Sequence, residues 1–258
     1  MLLQSLAVLI AGLFITAVSL ALLDPDRAFA FVWSLLKRRS AAAVAPLRRA
    51  ALALAIGGGS GGAGGGDSAA LAPLGRLEVA LEVGAGYGDH VAELSAATGR
   101  VLRRLYLVEP NRKFHDALRS AAVAAAAAPA EVALLGCGAE ALAAVPAASV
   151  DLVFCHLVLC SAPQAAVLAE IRRVLRPGGR IVAVEHVRGA PGSATACLQR
   201  AIRRSGLWAL FGGGCELDRD TAAALAAAGP WARLVVQRAE VAALPSFLRP
   251  HIFAVAEK

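Results

Sequence analysis

The chain is poor in the residues that mark several function classes. Aromatics make up 5% of its 258 positions and nowhere interleave with a basic tract. The stacking surfaces of nucleic-acid binders are therefore missing, and nucleic acid is not expected as a partner. The five cysteines, Cys137, Cys155, Cys160, Cys197 and Cys215, include no CxxC pair. An odd, scattered set argues against a disulfide framework and for reduced thiols in the cytosol; with no zinc-ligand spacing, no metal is expected. Charge is absent altogether from residues 1–23, and no acidic residue occurs between Arg27 and Arg49.

What is present is apolar and basic: 58% hydrophobic residues and a net charge of +7. A helix over residues 1–23 would be roughly 35 Å long, enough to cross a bilayer core, so a membrane anchor is expected. A cleaved signal peptide is the rival; it lacks a basic leading region here, although AFA at Ala28 to Ala30 resembles a cleavage motif. The cluster Arg27, Lys37, Arg38, Arg39, Arg48 and Arg49 lies just behind the apolar run and places the rest of the chain on the cytosolic side. Ala28 to Leu36 is too short to span but suits the interface, with Trp33 at headgroup level. Ala41 to Ile56 is helical in pattern, interrupted by Pro46, and the glycine-rich run from Gly57 to Ser68 reads as a flexible linker. The expected organisation is an anchor at 1–23, a basic segment and linker at 24–70, and a folded domain at 71–258.

In that domain apolar strands alternate with helices. Strands are expected at 77–83, 102–108, 131–135, 150–156 and 180–186, with helices starting near Asp89, Asn111, Ala139, Pro163 and Ala194. Another helix follows Asp220 to Ala228, and strands at 234–239 and 252–256 suggest an antiparallel edge. The pattern is α/β, a sheet of mostly parallel strands with helices on both faces.

Three glycines, Gly84, Gly86 and Gly88, fall at the carboxyl end of the first strand, where open α/β sheets bind ligands. Such a turn alone is a weak signal. Glu82 precedes it, however, and Glu109, in the run Glu109, Pro110, Asn111, ends the second strand where a carboxylate can accept from ribose hydroxyls. Gly138, Ala139 and Glu140 end the third strand, and the turn Arg176 to Gly179 joins a helix to the fifth, with glycine as helix C-cap. His156 and His186 lie near the ends of strands four and five, where either could take a proton.

The combination ExGxGxG, an acidic end to strand two and LRPGG before strand five resembles the class I S-adenosylmethionine-dependent methyltransferases, with a Rossmann-like seven-stranded sheet. A dinucleotide dehydrogenase would want GxGxxG, whereas the spacing here is GAGYG. VDLVFCHLVLCSAP from Val150, EHV at Glu185, PGS at Pro191, GGGCELDRDT at Gly212 and PHI at Pro250 are similar to the membrane-anchored thiol S-methyltransferases. That resemblance implies methyl transfer from S-adenosylmethionine to small apolar thiols, hydrogen sulfide among them, at the endoplasmic reticulum or lipid droplets. It implies that Glu82, Gly84, Ala85, Gly86, Gly88, Glu109, Pro110, Ala139 and Glu140 hold the cofactor, and His186 and His156 are the candidates for touching substrate. Departures include a glycine-rich segment where the family has a structured stretch that closes over the cofactor, His156 in place of a small hydroxyl residue, and Gly214 before Cys215. Alternatives are an oxygen, nitrogen or lipid acceptor, or a non-catalytic membrane protein that keeps the fold. Oligomeric state is not readable from the sequence.

Overall fold

The computed structural model describes residues 15, 18–19, 21–58, 71–98, 102–124 and 131–258. Most of the expected anchor, the glycine-rich run at 59–70 and the end of the alanine tract at 125–130 lie outside the described residues. Strands β1 (Val79–Val83), β2 (Arg104–Val108), β3 (Glu131–Leu135), β4 (Val150–His156), β5 (Leu175–His186), β6 (Arg233–Glu240) and β7 (Pro250–Glu257) form one sheet. Its order is β3-β2-β1-β4-β5-β7-β6. The first five are parallel, and β7 runs antiparallel to both β5 and β6, which gives the expected antiparallel edge.

The chain winds outward from β1 to β3, then returns to place β4 on the other side of β1. At that reversal the connections diverge, and a crevice opens above the carboxyl ends of β1 and β4. Every residue of both strands is buried, so their sequences are mostly apolar rather than alternating, with Glu82, Asp151 and His156 the polar exceptions. β1 begins at Val79 rather than Leu77 because a side chain replaces the strand partner there. Asp151 Oδ2 accepts from the N–H groups of Glu78 and Val79 at 2.7 and 2.8 Å.

Helix α1 (Pro25–Gly57) revises the expected organisation. It has 33 residues and continues through Pro46. Asp24 caps its start by accepting from Arg27 N–H, and Gly58, at φ +76°, ends it. Val44, Ala51, Leu52 and Ala55 are buried in the same cluster as Val182 and Val184 of β5 and Phe253 and Val255 of β7. The folded body therefore includes α1 and does not start near Leu71. Arg180, 2% exposed, fastens the helix end by donating to the Ala55 and Ala72 carbonyls at 2.7 and 2.6 Å while pairing with Glu257. The stretch Arg39–Gly57 is long and apolar enough to cross a bilayer, yet these contacts give its apolar residues a protein surface to cover. Two of the six basic residues read as juxtamembrane are likewise engaged by the fold: Lys37 pairs with Asp89, and Arg48 with Glu93.

Further α-helices among the described residues are α2 (Val91–Ala97), α3 (His115–Ala124), α4 (Gln164–Val174), α5 (Ala194–Ser205), α6 (Leu207–Phe211) and α7 (Thr221–Ala227). No helix starts at Ala139. Residues 139–149 form successive turns, with Ala141 N–H bonded to Gly138 and Val145 N–H to Leu142, and Arg173 donates to the Leu142 and Val145 carbonyls. Nor does glycine cap α4. The helix ends on Leu175 in extended conformation, and Arg176 to Gly179 form an irregularity in β5, between the pairs Val150–Leu175 and Leu152–Arg180.

Candidate active site

A cavity of about 1260 Å³ fills the crevice. Its floor is the glycine loop after β1. Gly84 and Ala85 donate to the Val108 carbonyl at 2.8 and 3.1 Å, which ties the loop to the end of β2. All three glycines have positive φ, but for different surroundings. A Cβ on Gly84 would lie 2.4 Å from Val158 Cγ2 and one on Gly88 2.6 Å from Ala121 Cβ, so both are required by packing. A Cβ on Gly86 would meet nothing within 4 Å and would stand in the cavity, where a ligand must approach the backbone.

Glu109 is 5% exposed and bonded through both oxygens. Oε2 accepts from Gly86 N–H and Oε1 from Asn111 N–H, each at 2.8 Å. A carboxylate has about four acceptor positions, so one remains on each oxygen for a pair of vicinal hydroxyls. Burial raises its pKa and the two backbone donors oppose the rise. Pro110, Ala139 and Glu140 line the cavity beside it.

Glu82 is placed differently from Glu109. It is 1% exposed, is not on the cavity wall, and reaches the cavity through His90, whose Nδ1 lies 3.0 Å from Glu82 Oε1; Oε2 has no partner among the described residues. Burial raises the Glu82 pKa against the pull of His90. The His90 ring stands 4.6 Å from that of His156, edge to face. His156 lines the cavity, its Nε2 has no partner among the described residues, and burial, then neighbouring positive groups, drive its pKa well below the usual imidazole value. It is therefore neutral near pH 7, competent to accept a proton but a weak base.

His186 sits across the cavity at the end of β5. Its ring nitrogen Nε2 lies 3.0 Å from Cys215 Sγ, which also accepts from Trp208 Nε1 at 3.2 Å. Burial works against a charged His186, but Cys215 and Glu185 outweigh it and hold the pKa above the ordinary value. The Cys160 thiol beside it, aided by His186 and Trp208, draws the Cys215 pKa well below that of a free thiol. In the sequence, Cys160 and Cys215 stand out only as two of five scattered thiols with no pairing motif. The ligand-type atoms of Cys160, His186 and Cys215 all lie within 4.8 Å of one another. They come from the loop after β4, the end of β5 and the loop before α7, so no local spacing announces them.

The roof is the first half of α1, where Phe29, Val32, Trp33 and Leu36 face the cavity. Tyr87 Oη donates to the Ala30 carbonyl at 2.8 Å, Asn111 Nδ2 to that of Asp26 at 2.9 Å, and Phe114 packs edge-on against both Phe29 and Tyr87. The structured stretch expected to be missing above the cofactor is thus supplied by α1, and Trp33 lines this site. Its signal was the i, i+4 spacing of Phe29 and Trp33, which reads equally well as an interfacial helix.

Residues 81–183, from β1 through β5, match the methyltransferase domain family model. The chain carries a class I methyltransferase domain. Over 111 residues the chain is 37% identical to thiol S-methyltransferase TMT1A of Homo sapiens, which is 43% of this chain and 44% of that one. The chain thus spans under half the length of this curated relative. Among solved structures, geranyl diphosphate C-methyltransferase of Streptomyces coelicolor A3(2), in complex with Mg2+, geranyl diphosphate and S-adenosyl-L-homocysteine, superposes with a TM-score of 0.53 at 16% identity. The match covers 71% of this chain and 74% of that one. The [4+2]-cyclase SpnF gives 0.52 at 14% identity, over 70% and 74%. Methyltransferase domain architecture is therefore shared by proteins of different reaction type, and the acceptor must be argued from the site. The loop of this methyltransferase domain fits S-adenosylmethionine on its own geometry: an open backbone at Gly86 and two free acceptor positions on Glu109.

Proposed function

We propose that this protein methylates small apolar thiols with S-adenosylmethionine, held by its N-terminus at the cytosolic face of a membrane, that of the endoplasmic reticulum or a lipid droplet. The observation that carries the reading is the Glu109 carboxylate, fixed by Gly86 and Asn111 at the mouth of a cavity roofed by α1. When bound, the cofactor supplies an electrophilic methyl group on a positively charged sulfur. Gly84 to Gly86 would take its amino-acid part, Glu109 the ribose hydroxyls, and Ala139 with Glu140 the base.

The residues of the chain then need to orient an acceptor and exclude water, which is where most of the rate of a displacement reaction arises. Phe29, Trp33, Leu210 and Phe247 give the cavity an apolar wall suited to an alkyl group. A thiol asks little of a base, since with a pKa near 8.5 a few per cent is already thiolate at neutral pH. Neutral His156 can receive the proton. Similarity to thiol S-methyltransferase TMT1A supports the acceptor class. The uncharged residues 1–23 and exposed Leu22, Leu23, Phe31 and Leu35 support the membrane location.

The test is calorimetric titration of the full chain in detergent with S-adenosylmethionine, followed by methylation assays on an alkanethiol, a phenol and an amine. Glu109→Ala removes two hydroxyl contacts to a charged group, each worth about 1.5–3 kcal/mol, and leaves two N–H groups without their acceptor. Affinity should fall by about a hundredfold or more at 1.4 kcal/mol per tenfold. Equal affinity in the variant refutes the cofactor assignment. Turnover of the phenol or amine, but not the thiol, refutes the acceptor.

A further inference from the structure

We propose that Cys160, His186 and Cys215 form a zinc site that opens into the cofactor cavity and takes the sulfur of the acceptor as its fourth ligand. All three residues line the cavity and are at most 9% exposed. Their ligand atoms lie within 4.8 Å of one another, with His186 Nε2 at 3.0 Å from Cys215 Sγ. In a tetrahedral zinc site, bonds of about 2.3 Å to sulfur and 2.0 Å to nitrogen set the donor atoms roughly 3.5–3.8 Å apart. Side-chain adjustments of about 1 Å reach that arrangement from this one.

Two sulfurs and one imidazole are the donor set that favours zinc over harder cations. Three protein ligands with a fourth position facing a cavity is the arrangement of catalytic zinc rather than structural zinc, which is closed by a fourth side chain. Support for the ligands is already in place. Trp208 Nε1 donates to Cys215 Sγ, and Glu216 N–H bonds the Cys160 carbonyl at 2.9 Å, which locks the Gly212–Cys215 loop against the end of β4. Cys155, though buried nearby, donates instead to Glu185 Oε1 and stands outside the cluster.

The role toward an acceptor rests on the thiol reading above; the site itself does not. On coordination the S–H bond of the acceptor breaks, a zinc–sulfur bond forms and the proton passes to water, with no change of oxidation state. A metal-bound thiol is deprotonated outright, so the site would supply the thiolate without calling on a base.

The experiment uses the reduced full chain in detergent, loaded with zinc, dialysed and analysed for metal, and in parallel loaded with cobalt(II) for absorption spectroscopy. One zinc per chain is expected. Cys215→Ser and His186→Gln should each lower zinc affinity by about tenfold or more, whereas Cys197→Ser, on the exposed face, should not. Cobalt should show thiolate-to-metal charge-transfer absorption that shifts on adding ethanethiol but not ethanol. Zinc content no higher than in a Cys160→Ser/Cys215→Ser double variant, or a cobalt spectrum without thiolate bands, overturns the site. Should the variants fail to fold, the wild-type cobalt spectrum still decides. Metal bound with no response to ethanethiol overturns the acceptor role. Calorimetry with S-adenosylmethionine on the same samples reports separately on the methyltransferase reading.

Discussion

Alanine placed in turn at Gly84, Gly86 and Gly88 should separate stability from ligand binding within one loop. All three carry positive φ, +66°, +52° and +79°, so each substitution incurs about 1–2 kcal/mol of backbone strain. The surroundings then diverge. A methyl at Gly84 meets Val158 Cγ2 at 2.4 Å, and one at Gly88 meets Ala121 Cβ at 2.6 Å and Leu118 Cδ1 at 3.0 Å. Overpacking of this kind adds about 1–3 kcal/mol. Gly84→Ala and Gly88→Ala should therefore lose about 2–5 kcal/mol in total, or roughly 5–15 °C in Tm for a chain of this size. Gly86→Ala has no packing clash and should lose only the strain, yet its methyl stands where the cofactor must approach the backbone. We expect a Tm lowered by only about 2–8 °C from the strain and a loss of S-adenosylmethionine affinity of tenfold or more, since about 1.4 kcal/mol suffices for that. The assays are thermal melting without ligand and calorimetric titration, on the same preparations. Wild-type affinity in Gly86→Ala would refute the placement of the cofactor over this loop. Equal stability of all three variants would refute the packing account.

Three further outcomes follow from other parts of the fold. Burial lowers the pKa of His251 to about 4, so between its unfolded value near 6.5 and about 4 the unfolded chain binds the extra proton and stability falls as pH drops. The effect at pH 5 is about 2 kcal/mol, about 1.4 kcal/mol for each of the roughly 1.5 pH units below the unfolded value, read as the difference in denaturation midpoints at pH 7.5 and 5 between wild type and His251→Asn; identical slopes would contradict it. Arg180→Met leaves Glu257 and the Ala55 and Ala72 carbonyls without their donor, and should cost about 3–5 kcal/mol in thermal or denaturant unfolding. A chain begun at Leu71 loses α1 and bares Val182, Val184, Phe253 and Val255; it should aggregate or bind a hydrophobic dye strongly, and a soluble monomer with cooperative melting would show that α1 is dispensable.

The sheet was legible because a parallel strand buried on both faces is mostly apolar, so β1, β2, β4 and β5 stand out from the helices between them. β3 and β4 are bounded as the sequence suggests, and β1 and β2 differ only at their first two residues. At β1 the difference has a tertiary cause, since Asp151 of β4 takes the N–H groups that a strand partner would otherwise bond. The helix expected at Ala139 failed for a tertiary reason, since Arg173 of α4 claims the carbonyls of that loop. Glu109 and the glycines were equally legible, because the sharp turn after β1 and the acidic end of β2 are each encoded within a few residues of chain.

Sequence alone determined the strand-and-helix alternation, the glycine loop and its acidic partner, because hydrophobic period and turn chemistry are local properties. Only the tertiary structure decided the fate of α1: the same apolar face that suits a membrane interface also suits β5 and β7, and composition does not say which surface it meets. It alone, too, brought Cys160, His186 and Cys215 together, since residues far apart in sequence become neighbours only when strands four and five pair and a later loop folds over their ends.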